Sequence, residues 1–192
     1  MVDFENAINR MRDFGFNPDP DLVNIHIPNS KENITKGLSY FTGGGFTWLD
    51  EYDDIAAWCE NNNGRGLLIM GNCGLGKTLI CGKILPILIN HYCQKVIYIT
   101  NAQLLNKDID FILKKHLIYI DDIGTENISV KFGERRLPFA ELVDEAEKKG
   151  KLLIITTNLT PEEIEEKYGT RTIDRLHAIT KAVKLSGKSF RK

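Results

Sequence analysis

Apolar residues follow two rhythms along this chain. From residue 66 onward, short runs that are apolar throughout alternate with longer stretches where apolar positions recur every three or four residues. Gly66–Met70, Lys95–Thr100, His116–Ile120 and Leu152–Thr157 have strand length. Strands without a polar face belong to sheets covered on both sides. Between them, Lys77–Tyr92, Ala102–Leu113 and Glu134–Lys149 show helical periodicity, with Pro86 expected to kink the first and Pro138 to interrupt the third. Thr160–Tyr168 and Arg171–Ala178 predict two short helices, and Lys181–Leu185 a last edge strand. Strands alternating with helices predict an α/β fold of three layers, α/β/α, around a central, mostly parallel five-stranded sheet. Ligands of such sheets bind beyond the carboxyl ends of the strands.

Upstream the rhythm weakens. Asp3–Phe14 predicts a small amphipathic helix with Phe4, Ala7, Ile8 and Met11 on one face, ended by Asn17-Pro18-Asp19-Pro20. Residues 21–47 read as irregular and finish in Gly43-Gly44-Gly45. Leu49–Asn61 is helical, with Ile55, Ala56 and Trp58 inward. The chain thus divides into an extension, 1–47, and a core, 48–192.

Composition narrows the picture. With 192 residues, 42% of them hydrophobic, the chain is long enough for one compact α/β domain. A net charge of −1 argues against holding nucleic acid by whole-molecule charge. The charge is uneven, however: residues 1–60 hold eleven acids and four bases, whereas Lys167 to Lys192 hold eight bases and the single acid Asp174. Either these are two solvated faces, or an acidic and a basic side that meet when copies assemble, or a basic side that faces nucleic acid. Cys59, Cys73, Cys81 and Cys93 form no C-x-x-C pair, which argues against a zinc site and fits a reducing cytoplasm. No stretch has the length of a membrane span and no signal peptide is recognisable, so no membrane partner is expected.

The chemistry sits where the strands end. Gly71-Asn72-Cys73-Gly74-Leu75-Gly76-Lys77-Thr78 follows the first strand, opens a helix, and matches G-x-x-x-x-G-K-[ST] at every fixed position. In such a P-loop, backbone N–H groups converge on the phosphates of ATP, the lysine meets the outer phosphates and the hydroxyl ligates Mg²⁺. Cys73 is either a small residue that fits or a thiol activated by those dipoles. The third strand runs into Asp121-Asp122, the arrangement in which the first acid holds the Mg²⁺ shell and the second polarises the attacking water. Asn158, after Thr156-Thr157, is placed to bond the γ-phosphate or that water, with capping of the next helix as the alternative. Thr100 and Asn101 are candidates to tether Asp122, again with a helix cap as the alternative.

Four motifs in order resemble the DnaC/DnaI helicase loaders and the IstB transposition ATPases, within the AAA+ proteins. They are Asp121-Asp122-Ile123-Gly124, Thr156-Thr157-Asn158-Leu159, Gly169-Thr170-Arg171-Thr172-Ile173-Asp174-Arg175-Leu176, and Gly187-Lys188-Ser189-Phe190-Arg191. The resemblance covers roughly residues 48–192. It implies an AAA+ core without the helical lid, with Asn158 as a sensor and Arg175 as an arginine finger acting on a neighbouring subunit's ATP. Arg171 is the runner-up for that role, and pairing of both arginines with the Glu162–Glu166 run is the structural alternative. Arg191 is a candidate substitute for a second sensor. Asp122 stands where many relatives have Glu, which implies slow hydrolysis.

The expected function is therefore a DnaC-like ATPase, hydrolysing slowly and dependent on an ATP-driven homo-oligomer or on DNA, that loads or remodels a hexameric replicative helicase. Single-stranded DNA is its expected nucleic acid, with Lys181, Lys184 and Lys188 toward the backbone. The alternatives are an IstB-like helper of a transposase, a small-molecule kinase whose lid arginines are Arg135 and Arg136, and a nucleotide-dependent adaptor.

Overall fold

The structure is a computed structural model that describes residues 1–15, 21–126, 129–131, 134–187 and 189, with the backbone alone at 129–131 and 134–136. Five strands form one sheet: β1 (Gly66–Met70), β2 (Tyr98–Asn101), β3 (Leu117–Ile123), β6 (Leu152–Thr157) and β7 (Thr180–Lys184), in the order β2-β3-β6-β1-β7. Every pairing in that sheet is parallel. The remaining strands, β4 (Ser129–Lys131) and β5 (Glu134–Arg136), form a separate antiparallel pair.

Strand alternation divides the core between two faces. Leu67 and Ile69 of β1, with Tyr119 and Ile154, pack against α3 (Tyr52–Glu60) and the helix after the P-loop. Leu68, Ile118, Ile120 and Ile155 face α6 (Ala102–Ile112), α7 (Pro138–Lys149), α8 (Pro161–Tyr168) and α9 (Thr170–Ile179). Each fully buried Ile or Leu contributes about 1.5–3 kcal/mol of transfer free energy, so a helix on either face is stabilised chiefly by its apolar stripe. This is the three-layer architecture expected from the pattern.

Two expectations need correction. Residues 21–47 are not irregular throughout: they contain α2 (Ser30–Thr42), and Ile25, Ile27, Ile34 and Leu38 are buried in the same core cluster as β1. The apolar stripe of α2 is short and interrupted by Gly37, which hid it. That glycine is what lets the helix seat closely, since a Cβ there would lie 2.9 Å from Ile84 Cγ2. By contrast α1 (Phe4–Arg12) has the expected amphipathic face but buries none of its residues.

Pro138 also acts differently from expectation. It does not interrupt a helix but starts one, at the first turn where its missing N–H costs nothing. Residues 134–136 before it are strand β5. The helix after the P-loop is α4 (Lys77–Leu79), a π-helical turn Ile80–Ile84 and α5 (Leu85–Cys93). The Leu85 N–H bonds Ile80 O, so the ladder widens just before Pro86, which has no N–H to offer. The Asn17-Pro18-Asp19-Pro20 break, Lys188, Phe190 and Arg191 lie outside the described residues, as do the side chains of Arg135 and Arg136.

Candidate nucleotide site

The loop 71–76 leaves the carboxyl end of β1 and is braced from below. Gly76 has φ 75°, and a Cβ there would lie 2.7 Å from the Tyr52 hydroxyl. Only glycine meets both demands. Tyr52 is buried and donates to Leu75 O at 2.9 Å. Burial pushes its phenol up to about 12, so it remains a donor. On the other side the chain leaving β7 continues the sheet, with Leu185 N–H on Met70 O at 2.8 Å. Glu51 then accepts from the Ser186 N–H at 3.0 Å and from its hydroxyl. The loop is therefore held by the core and by the segment after β7.

Lys77 is buried, and its ammonium donates to Gly71 O at 2.5 Å, Asn72 O at 2.9 Å and Asn158 Oδ1 at 2.8 Å. Asn158, at the end of β6, turns its Nδ2 to Asp122 Oδ1 at 2.8 Å. It thus joins the lysine to the second acid. Asn101 does not tether Asp122 but caps α6 through the Leu104 N–H at 2.9 Å. The Thr100 hydroxyl points to Asn101 O. The cap competes for the one free acceptor of Asn101, and it wins because an unsatisfied helix N-terminus is the larger cost.

Asp121 ends β3 with one carboxylate oxygen, Oδ1, receiving three hydroxyls. They belong to Thr78 at 3.0 Å, Thr156 at 2.8 Å and Tyr119 at 2.5 Å. Burial, followed by the neighbouring Cys81 and Asp121, pushes the Tyr119 phenol far up, so it stays a donor. Neither Tyr119 nor the double role of Thr156 was among the expected site residues. A signal exists for the first: Tyr119 lies two residues before Asp121, so the strand puts both on one face.

Asp122 adopts φ 55°, where β3 changes register between Ile120 and Ile123. A left-handed conformation costs a non-glycine residue about 1–2 kcal/mol. Its N–H is satisfied by Thr156 Oγ1 at 3.0 Å. The bulge turns the Asp122 carboxylate toward Asn158 instead of along the strand. Burial, then the charges of Asp121 and Glu126, hold its carboxyl above the ordinary Asp range, against the pull of Lys77. The following loop is tied down through Glu126. Its carboxylate accepts the Gly124 N–H at 2.8 Å and the Tyr168 hydroxyl, while Lys167 Nζ reaches Gly124 O at 2.5 Å and Glu126 O at 3.0 Å.

A cavity of about 450 Å³ opens over these groups. Gly74, Gly76, Lys77, Thr78, Asp121, Asp122 and Asn158 line one side of it, with Cys73 exposed at the edge. The other side comes from the N-terminal segment: Leu38 and Thr42 of α2, then Phe46 and Thr47. No motif marks those four, because their contribution is an apolar wall and not a spacing of charges.

The arginines lie elsewhere. Arg175 on α9 pairs with Asp144, and its Nε meets Glu147 Oε2 at 2.6 Å, both acids being on α7. Arg171 is exposed and 3.5 Å from Asp144. The acid run Glu162–Glu166 is therefore not their partner. It sits one helix earlier, where Glu163 is taken up in the capping box of α8 with Thr160.

The cysteines are free, and among the described residues no cluster of three His, Cys, Asp or Glu is placed to hold a metal ion. No helix among them is long and apolar enough to cross a membrane.

The family model of novel STAND NTPase 3 matches residues 49–186. The chain is similar to the crystal structure of the DnaC helicase loader, with 15% identity and a TM-score of 0.61 over 73% of this chain and 93% of that one. It is also similar to the crystal structure of DnaI, with 18% identity and a TM-score of 0.53 over 66% of this chain and 73% of that one. At these identities the likeness is one of fold. No curated protein sequence matches the chain.

Proposed function

The chain belongs to the novel STAND NTPase 3 family, and from that premise we propose that it binds ATP with Mg²⁺ in the cavity over Gly71–Thr78 and hydrolyses it slowly. The observation that carries this reading is the connected set Lys77–Asn158–Asp122 beside Thr78–Asp121. The donor chemistry fits both groups. Lys77 holds its ammonium against oxygens, which phosphate oxygens replace, at the positive end of the helix. Thr78 and Asp121 offer the hard oxygens that would hold Mg²⁺. Bound there, the ion would supply neutralisation of phosphate charge. Leu38, Thr42 and Phe46 form the wall for the base.

The chain's own residues then divide the work. Tyr119 and Thr156 fix the Asp121 carboxylate toward Thr78. Asp122 orients the attacking water and takes its proton, and Asn158 holds that carboxylate in place while touching the lysine. Asp is one methylene shorter than Glu, which favours slow turnover. Arg175, released from Asp144 and Glu147, completes the site of a neighbouring copy.

The finer reading is a DnaC-like protein that loads or remodels a hexameric helicase on single-stranded DNA. It rests on the order of four motifs and on the likeness in fold. A nucleotide-dependent adaptor with little turnover is the second reading, favoured by the bonding of Asp122 to Asn158. Hydrolysis by the purified protein, alone and with single- or double-stranded DNA and a hexameric helicase, separates them. DNA or helicase stimulation that needs Arg175 supports the loader. Tight ATP binding with no stimulated turnover supports the adaptor. Phosphate transfer to a metabolite with no DNA effect would overturn both.

A further inference from the structure

At the other end of the sheet, the amino ends of β2 and β3 enclose a second cavity, of about 300 Å³. Apolar Val96, Tyr98 and Leu117 line it together with Lys95, Lys115 and His116. Phe111, from the last turn of α6, stands beside it. The Tyr98 and Phe111 rings meet edge to face with centroids 5.6 Å apart. Lys115 Nζ lies 4.2 Å from the Phe111 centroid and 5.6 Å from that of Tyr98. Phe111 is 50% exposed and Val96 79%, large values for apolar side chains next to a concavity.

Lys31, Lys148, Lys149, Lys167 and Lys181 each have a carboxylate partner. Among the described residues, Lys95, Lys114 and Lys115 have none, as is also true of Lys36, Lys83, Lys107 and Lys184. What sets the first three apart is that they gather around the cavity and its aromatic pair. Helix ends account for part of this, because Lys95 follows α5 and Lys114 and Lys115 follow α6, where the helix dipole is negative. That does not account for an exposed ring beside a cavity with an apolar lining.

We propose that this end of the molecule binds single-stranded nucleic acid. One unpaired base stacks on Phe111 or enters the cavity against Val96 and Tyr98, and the flanking phosphates meet Lys95 and Lys114. A single strand presents flat π-faces together with a regular row of charges, which is what an exposed ring among unpaired cations accommodates. A duplex hides its base faces, and an acidic peptide has the charge without the rings. The inference deepens the DNA-directed part of the proposed function and rests on it for the class of partner, but the surface is separate from the P-loop. Binding is therefore measured with no nucleotide present.

The test is fluorescence anisotropy of a labelled oligothymidylate over a range of salt concentrations. Phe111→Ser is expected to weaken binding roughly tenfold, the loss of one stacked base, with the salt slope unchanged. The Lys95→Gln/Lys114→Gln double variant, whose changes are on exposed positions, is expected to flatten the log–log salt slope by about 1.4, or about 0.7 per phosphate contact. Lys77→Ala is expected to bind the oligonucleotide as the wild type does, so failure of the nucleotide reading leaves this one standing. No binding by the wild type, equal affinity in all variants, or equal competition by a duplex or by polyglutamate overturns the proposal.

Discussion

The side chains gathered over the P-loop and the two arginines occupy opposite situations in one fold. Lys77, Thr78, Asp121, Asp122 and Asn158 come from the carboxyl ends of three strands and are already joined by hydrogen bonds. Arg175 and Arg171 come from α9 and are bonded to acids of α7, on the other layer. Among the described residues that line the cavity there is no arginine. Under the proposed function, the chain assembles by itself the groups that would hold a nucleotide and position water, and keeps apart the cation that would offset charge on the γ-phosphate. The proposal is thus a binding half fixed by the fold and a catalytic half left to a second copy, so that ATP is gripped by a single chain and turned over on assembly.

Removing the binding half should have the largest effect. Lys77→Ala is expected to weaken ATP by at least about 100-fold, the loss of two or more charge-assisted hydrogen bonds, read by calorimetric titration. Unchanged affinity would refute the site.

Asp122→Asn comes next and moves activity and stability in opposite directions. Turnover is expected to fall by about 100-fold or more, the range for a general base, with ATP affinity retained. The wild-type acid limb should lie above the ordinary Asp range, because burial and Asp121 raise the carboxyl. The same shift has a sign for folding. A carboxyl raised in the folded state stabilises it below the ordinary Asp pKa, and that contribution is lost as pH rises through the raised value. At neutral pH the ionised group is a cost, so the Asn variant should melt higher there, with the gap closing toward acid. A gap that widens in acid contradicts the assignment.

Smaller effects should follow from the supports. Thr156→Val removes the donor to Asp121 and the acceptor for the Asp122 N–H together. Roughly a tenfold loss of turnover is expected from about 1–1.5 kcal/mol, with an increased demand for Mg²⁺. Tyr119→Phe removes one of three donors to Asp121 and should cost a few-fold, seen in the Mg²⁺ dependence and not in ATP affinity. Equal losses in both would mean that Tyr119 only fills space.

The same contrast explains what was legible in the sequence. The P-loop, Asp121 and the parallel sheet follow from local chemistry: glycines where the backbone turns, apolar runs where both faces are covered. Asn158 was legible because it ends a strand. Helix α2 and its share of the cavity were not, since Gly37 breaks the stripe and an apolar wall has no motif. The role of Pro138 is not legible in the sequence, because a proline at a first helical turn and one inside a helix look alike until strand β5 before it is seen. Arg175 was legible as a candidate, but its partners Asp144 and Glu147 lie 28 to 31 residues away on another helix, a distance that periodicity does not reach.

The shared site itself is tested most directly by mixing two inactive chains. Arg175→Ala keeps the ATP-binding groups and lacks the finger, and Lys77→Ala keeps the finger and lacks the binding lysine. Each alone should lose hydrolysis by about 10³-fold or more, and the mixture should recover it, because the second chain lends its arginine to the first. A mixture as inactive as its components, or an Arg175→Ala chain as active as the wild type, would contradict the division of the site between two copies.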